Sequence, residues 1–435
     1  MSPKVFIKTL GCAMNERDSE HLFAELREKE GYERTDRAEE ADLILINTCS
    51  VRERPVAKLF SELGAFNLIR KERAKIGVCG CTASALGEKI FARAPYVDFV
   101  LGARNVSKIT EAIKNSRSVF TGTGYDESEF AFAEGRFNKY RALINISIGC
   151  DKQCAYCIVP ATRGKEISIP SKLILNEAKK AVESGAVEVV LLGQNVNSYG
   201  SRFSSPHKKI DFPELLEEIS QIDGLKRIRF QSPHPLHIDD RFLRVFADNP
   251  KICKHIHIPL QSGSTKILRA MRRGYTKEWY LDRALKVREM VKDATISTDI
   301  IVGFPGEREE DFEESLDVMR QVKFEQLFSF KFSPRELTAA ALMGDRVEDK
   351  TASKRLWRIH SLYKKQLNEA MDAQIGKEFD VFLELADDRK TLYGKSHNFY
   401  SFRIFNGAKE GEFVKVRAVG IKNGALIGEA VEQTR

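Results

Sequence analysis

The sequence predicts an α/β protein in three parts: an open parallel α/β domain, a TIM-like partial (β/α)6 barrel and a small OB-like β-barrel. Three observations carry this. Short apolar runs alternate with helix-length segments over residues 1–117 and again over 139–345, the pattern of parallel strands joined by helical crossovers. From about 375 to 435 the pattern changes to short strand-like runs divided by turn signals. A chain of 435 residues also has room for about three domains of roughly 150 residues each.

Taken in order, 4–9 reads as a strand and 16–30 as a helix stopped by Gly31. Asp-Leu-Ile-Leu-Ile-Asn at 42–47 is a buried strand, followed by a helix with Pro55 in its first turn. Further strands fall at 75–79 and 98–101. Residues 118–138 read as a linker; the Gly122-x-Gly124 pair inside it lacks the third glycine and the following helix of a dinucleotide loop. The second alternation places strands at 142–148, 187–192, 227–231, 255–259, 295–302 and 326–332. Such a series suggests an open barrel whose ligand site lies at the C-terminal strand ends. A helix over 349–374 presents Leu356, Ile359, Tyr363, Leu367 and Ala370 on one face and ends at Gly376. The last part has strands at 378–384, 391–394, 412–419 and 425–432, with turns at Asn406-Gly407 and Asn423-Gly424.

Hydrophobic residues at 42% and charged residues at 30% are ordinary for a globular chain. No run approaches the roughly 20 apolar residues of a membrane helix. The N-terminus leads straight into strand alternation with no signal peptide, so a cytoplasmic protein with no membrane partner is expected. In that compartment eight cysteines argue against a disulfide framework. The net charge of +8 is compatible with a nucleic-acid partner.

Six of the cysteines form two sets. Cys150, Cys154 and Cys157 stand as Cys-x-x-x-Cys-x-x-Cys on one loop after the first strand of the second alternation. Structural zinc and an ordinary 4Fe–4S cluster both take four protein ligands. Three on a tight loop suggest a cubane with one iron left open, against a zinc or redox cluster that shares the spacing. Cys12, Cys49 and Cys81 each follow a different strand of the first alternation. The carboxyl ends of parallel strands share one edge, and helix N-termini there favour thiolates, so these three can converge on a second such site. Cys79 lies two residues from Cys81 and is the alternative ligand; Cys253 is isolated and reads as structural.

The cysteine loop, with Tyr156 ahead of its last cysteine, resembles that of radical S-adenosylmethionine (AdoMet) enzymes. Thr9-Leu-Gly-Cys12-Ala-Met-Asn15, Asn47-Thr-Cys49-Ser-Val-Arg52-Glu53 and Gly80-Cys81-Thr-Ala-Ser84 extend the likeness to the methylthiotransferase family of those enzymes. So do Gln194-Asn195, Phe230-Gln-Ser232-Pro, Pro259-Leu-Gln261-Ser262 and Gly303-Phe-Pro305-Gly306. The resemblance implies a methylthiotransferase N-terminal domain (1–117), a radical AdoMet core (136–368) and a TRAM RNA-binding domain (371–435). It implies two 4Fe–4S clusters, held by Cys12, Cys49 and Cys81 and by Cys150, Cys154 and Cys157, the latter the catalytic one. Tyr156, Gln194, Asn195, Ser232, Gln261, Gly303, Pro305 and Gly306 would bind AdoMet.

The reaction implied uses two AdoMet per turnover: one methylates a cluster sulfur, and the other yields the 5′-deoxyadenosyl radical that takes hydrogen from C2 of N6-isopentenyladenosine beside the anticodon of tRNA. Partners implied are that anticodon loop, an electron donor protein and a sulfur source. Two alternatives within the class are methylthiolation of threonylcarbamoyladenosine in tRNA and of a ribosomal-protein aspartate. A non-catalytic iron–sulfur RNA-binding protein is the alternative outside it. The chain departs from the family in Ser333-Pro-Arg335-Glu-Leu-Thr338, which lacks a Pro-Gly turn, and in the loose fit of Leu392-Tyr-Gly394-Lys395-Ser396-x-Asn398 to the barrel's RNA motif.

Overall fold

The computed structural model describes residues 2–50, 53–124, 135–202, 210–388, 391–405 and 409–431. Arg52, the 125–134 part of the expected linker, the Asn406-Gly407 turn and residue 432 at the end of the last expected strand lie outside the described residues. The chain forms two compact units. One comprises Met1–Ser184, Val189–Asp211 and Ser333–Leu342; the other comprises Gly185–Glu188, Phe212–Phe332 and Met343–Arg435.

The first unit is organised by a six-stranded parallel sheet. Its strands are β1 (Lys4–Leu10), β2 (Glu33–Arg34), β3 (Leu43–Thr48), β4 (Lys75–Gly80), β5 (Phe99–Gly102) and β6 (Ser118–Phe120), in the order β2-β1-β3-β4-β5-β6. Strand β3 is buried along its whole length, as its apolar Leu43–Ile46 run requires when both sheet faces are covered, with the polar Asn47 and Thr48 at its C-terminal end. Alternate residues point to opposite faces. Ile44, Ile46, Ile76 and Val78 pack with Leu59 and Leu63 of the helix Glu53–Ile69. Leu43, Leu45, Phe99 and Leu101 pack with Leu22 and Leu26 of the helix Ala13–Glu30. That helix begins three residues before the expected 16, because the Asn15 side chain accepts the Cys12 backbone N–H at 3.3 Å and caps the first turn.

Two strands of this sheet are not expected from the sequence. Glu33–Arg34 is only two residues long and lies on an edge, and Ser118–Phe120 turns the start of the expected linker into the opposite edge strand, paired with β5. Further along the unit, β7 (Arg141–Asn145) neighbours β10 (Glu188–Leu192). The strand expected over 142–148 breaks at Ile146, which bonds outward to Leu192 O and Ile169 N. Beyond the break, β8 (Ser147–Ile148) pairs antiparallel with β9 (Ile167–Ser168). This small ribbon closes the base of the 149–166 loop.

In the second unit, β11 (Arg227–Phe230) bridges to Ile252, while β12 (His255–His257), β13 (Thr295–Val302) and β14 (Gln326–Lys331) form a parallel sheet. The helix Asp349–Asp372 follows. The chain then closes a five-stranded barrel from β15 (Glu378–Asp388), β16 (Thr391–Ser396), β17 (Ser401–Ile404), β18 (Phe413–Lys422) and β19 (Ala425–Ala430). Val381, Leu383, Phe402, Val416 and Leu426 fill it. Strand β17, unassigned from sequence, closes the barrel by pairing with β16 and, parallel, with β19. Asn423 and Gly424 take positive φ in the β18–β19 turn, as a tight hairpin demands.

Candidate active site

The order of the first sheet explains where Cys12, Cys49 and Cys81 fall. They follow β1, β3 and β4, which are immediate neighbours with one parallel register. The chain leaves β1 for β2 on one side and leaves β3 for β4 on the other, so the β1/β3 boundary is a topological switch point, the crevice where open α/β sheets bind ligands. Buried amides fix the loops there. Asn15 donates to Asn47 Oδ1 at 3.0 Å, and Asn47 donates to Asn15 O at 2.9 Å and Ser19 Oγ at 3.0 Å. Thr82 Oγ1 donates to Cys49 O at 2.9 Å. Gly80, at φ +91°, has its α-carbon against the Asn47 side chain, where any Cβ would collide.

The three thiols have different surroundings. Cys12 is exposed, although protein atoms crowd around it. A hydrogen bond from Cys49, and secondarily the charge of Arg163, hold it down at about 6 against the opposing effect of burial. Cys81 is buried, and burial raises its thiol, opposed by Arg163, whose Nε lies 3.2 Å from the sulfur. Cys79 lies in the apolar core with Leu22, Leu45 and Phe99, and burial pushes its thiol far up. Its side chain belongs to the core face, while Cys81 opens the next helix, Cys81–Leu86, at the sheet edge.

Among the described residues, no three His, Cys, Asp or Glu side chains close on a point narrow enough for a single metal ion. Three thiolates that each bind a different iron of a cubane need a wider spread than ligands at about 2.3 Å around one zinc. What the site offers is donor chemistry: three cysteine sulfurs at one sheet edge, with the Arg163 cation favouring thiolates at Cys12 and Cys81, the ligand type that an iron–sulfur cluster takes.

The second set sits on the loop closed by β8 and β9. Cys150 N donates to Gly164 O at 3.1 Å and Cys157 N to Cys154 O at 3.0 Å, so the loop folds back on itself at both ends. Burial raises the Cys150 thiol to about 11. Gln194, at the end of β10, accepts the Gly149 backbone N–H. Its neighbour Asn195 lies against Glu166, which also takes hydrogen bonds from Ser198 and Ser201. Tyr156 is half-buried in the Cys154–Cys157 turn, and the backbone beside it is pinned by Ala340 N donating to Ala155 O at 2.8 Å. Ala340 comes from the segment that lacks the Pro-Gly turn. Thr338 makes the turn instead, with its N–H and hydroxyl both on Arg335 O.

Gly149 makes the tight entry to this loop possible. Its φ is +82°, and a Cβ would run into the carbonyl oxygen of Lys165. Gly149→Ala is expected to cost about 1–2 kcal/mol from the left-handed backbone alone, more with the collision. It should also empty the loop of iron. Urea unfolding together with iron analysis checks this; a variant with full iron and unchanged stability contradicts it.

In the second unit the remaining expected residues lie beyond C-terminal strand ends. Ser232 follows β11 at φ +59°. Gln261 bonds through its backbone to Asp299 O and Ile301 N beside β13. Gly303 and Gly306 follow β13; Gly303 N donates to Glu307 Oε2 at 2.6 Å, and Arg355 grips the same carboxylate at 2.7 Å. Pro305 lies between them. The barrel segment around Lys395–Asn398 packs on the same unit. Lys254 N donates to His397 O at 3.1 Å, Thr295 Oγ1 to Asn398 O at 2.6 Å, and the Phe399 ring stacks on His255.

Sequence reasoning missed Arg163. It ends the short helix Val159–Arg163, which begins two residues after Cys157, and it is buried against Cys81 and Asp18. Its only sequence signal is an arginine in the otherwise uncharged Val-Pro-Ala-Thr-Arg run.

Residues 144–319 match the Radical SAM superfamily and residues 4–102 match the Uncharacterized protein family UPF0004. The radical S-adenosylmethionine methyltransferase TsrM from Kitasatospora setae is similar in fold, with a TM-score of 0.56 at 13% identity over 78% of this chain and 75% of that one. Fold and cysteine loop thus define a radical SAM protein. The chain is 59% identical to tRNA-2-methylthio-N(6)-dimethylallyladenosine synthase of Campylobacter curvus, over 99% of both chains. It is 57% identical to that of a Nitratiruptor species, over 99% of this chain and 100% of the relative. It belongs to the tRNA-2-methylthio-N(6)-dimethylallyladenosine synthase family.

Proposed function

We propose that this protein adds a methylthio group to C2 of N6-isopentenyladenosine next to the anticodon of tRNA, using AdoMet and two 4Fe–4S clusters. The observation that carries the reading is the pair of three-cysteine sets in one compact unit. Each set is one ligand short of the four that an ordinary cluster takes. The full-length likeness to synthases of that name supports the substrate. The alternative tRNA base and the ribosomal-protein target have no comparable support.

Cys150, Cys154 and Cys157 hold the cluster that works with AdoMet, and Cys12, Cys49 and Cys81 hold the one that works with sulfur. When bound, these groups supply the radical and sulfur chemistry needed at an unactivated C–H bond, which polar side chains cannot supply. The chain's own residues position them. Gln194 and Gly149 fix the mouth of the radical loop. Glu307, held by Arg355, fixes the Gly303–Gly306 turn expected to contact AdoMet. Gln261, Ser232, Asn195, Tyr156 and Pro305 complete that expected set. An unpaired anticodon loop suits a site that must reach a base edge, and its phosphates make binding salt-sensitive. We assign the domains as 1–117, to which the edge strand Ser118–Phe120 adds, 136–368 and 371–435, the last a TRAM-type RNA module. An electron donor protein and a sulfur source complete the reaction in the cytoplasm. No described helix is long and apolar enough to cross a membrane.

Nucleoside analysis of tRNA from a strain lacking the gene tests the substrate. The expected result is loss of 2-methylthio-isopentenyladenosine with accumulation of isopentenyladenosine; unchanged levels refute the assignment and leave the radical chemistry standing.

A further inference from the structure

We propose that Arg163 tunes and positions the Cys12/Cys49/Cys81 centre: its guanidinium donates to the Cys81 sulfur and raises that centre's reduction potential, with Asp18 opposing it. The inference rests on the reading of those cysteines as cluster ligands.

Arg163 is 3% exposed. Its Nε lies 3.2 Å from Cys81 Sγ and its Nη2 lies 2.5 Å from Asp18 Oδ2. Its own carbonyl accepts from Arg104 Nη1 at 3.0 Å, so the backbone that delivers it is fixed as well. A buried cation needs a partner of opposite charge. Asp18 supplies one, and the Nε–H then points to sulfur and not to oxygen. Structural need alone does not explain that choice. A planar guanidinium with several fixed donors can hold a carboxylate and a thiolate at once, which a lysine ammonium cannot do in the same geometry.

The consequence follows from charge. Reduction adds an electron to the cluster, and hydrogen bonds to its sulfurs and nearby net charge set the potential. A positive donor on a ligand sulfur favours the reduced form; a carboxylate on the far side of that donor disfavours it. Arg163 is delivered by the helix that leaves the radical cysteine loop, so this loop carries the residue that sets the electronics of the other centre. Partners that orient and tune metal ligands from outside the first coordination sphere commonly have large effects on affinity and potential.

The test uses the full chain with Cys150, Cys154 and Cys157 replaced by Ala, so that a single site can fill. Iron content and the midpoint potential, from a redox titration followed by electron paramagnetic resonance, are read in this background and after adding R163Q, R163K or D18N. The background should hold about four irons per chain. R163Q should shift the midpoint to more negative values, R163K should fall between, and D18N should shift it to more positive values. Opposite signs for R163Q and D18N distinguish tuning from loosened packing, which would move both the same way. If R163Q empties the site, the R163K and D18N pair still gives opposite shifts. Retained iron with an unmoved potential, or shifts of one sign, overturns the proposal. A background chain without iron removes the cluster reading itself, and the proposal with it.

Discussion

Cys157→Ala is expected to abolish methylthiolation while the N-terminal centre keeps its metal. Iron should fall from about eight to about four per chain, and tRNA from a strain carrying only this variant should contain isopentenyladenosine without its methylthio form. The size of the effect follows from the chemistry. Breaking an adenine C–H bond has no fallback route through the side chains on the loop, so losing the cluster forfeits essentially the whole enhancement, on the order of 10⁶ or more. Location makes the effect clean. Cys157 lies in a turn whose backbone bonds run from Cys157 N to Cys154 O and from Ala340 N to Ala155 O, and neither uses the thiol. The loop base is held separately by β8 and β9. Normal levels of methylthiolated nucleoside in that strain would sink the assignment of this loop to catalysis.

How much of this was legible from sequence depended on how local the determining forces are. The 42–47 run was readable from Leu-Ile-Leu-Ile at 43–46, because a parallel strand buried on both faces is largely apolar, and Thr295–Val302 matched at both ends. Local pattern failed where pairing with distant residues decides the outcome. Glu33–Arg34 carries two charged side chains and is a strand only because β1 offers its edge. Ser401–Ile404 is fixed by closure of the barrel against β19. The break at Ile146 exists because Leu192 and Ile169 claim its backbone groups.

The site divides in the same way. That Cys12, Cys49 and Cys81 each follow a different strand is a property of the chain order; that β1, β3 and β4 are neighbours is a property of the sheet. Arg163 was beyond reach because its partners lie 82 and 145 residues away in the chain. The ambiguity between Cys79 and Cys81 was of an intermediate kind. Two positions apart on a strand they share a face, and only the end of β4 at Gly80, with its left-handed φ, sends the second cysteine elsewhere.

That ambiguity gives the second large prediction. Cys81→Ala should remove the N-terminal cluster, leave about four irons on the radical loop and stop methylthiolation, yet AdoMet should still be cleaved to 5′-deoxyadenosine when an electron is supplied. Cys79→Ala should keep both clusters and the product. Cys79 packs with Val5, Leu22, Leu45, Phe99 and Leu101, so its loss should appear only as about 1 kcal/mol of stability from a small buried void. The two variants differ by two positions in sequence and are both more than nine-tenths buried, which makes each the control for the other's folding. Asp18, an anion, disfavours a thiolate at both positions, but Cys81 also touches the Arg163 cation, which opposes this, whereas burial and Asp18 are what act on Cys79. Burial opposes a thiolate at both positions, and a cation offsets part of that opposition at Cys81 before any metal binds. Iron analysis, AdoMet cleavage and nucleoside analysis on both variants decide the matter. Should Cys79→Ala lose half the iron and Cys81→Ala keep it, the assignment of the third ligand is reversed.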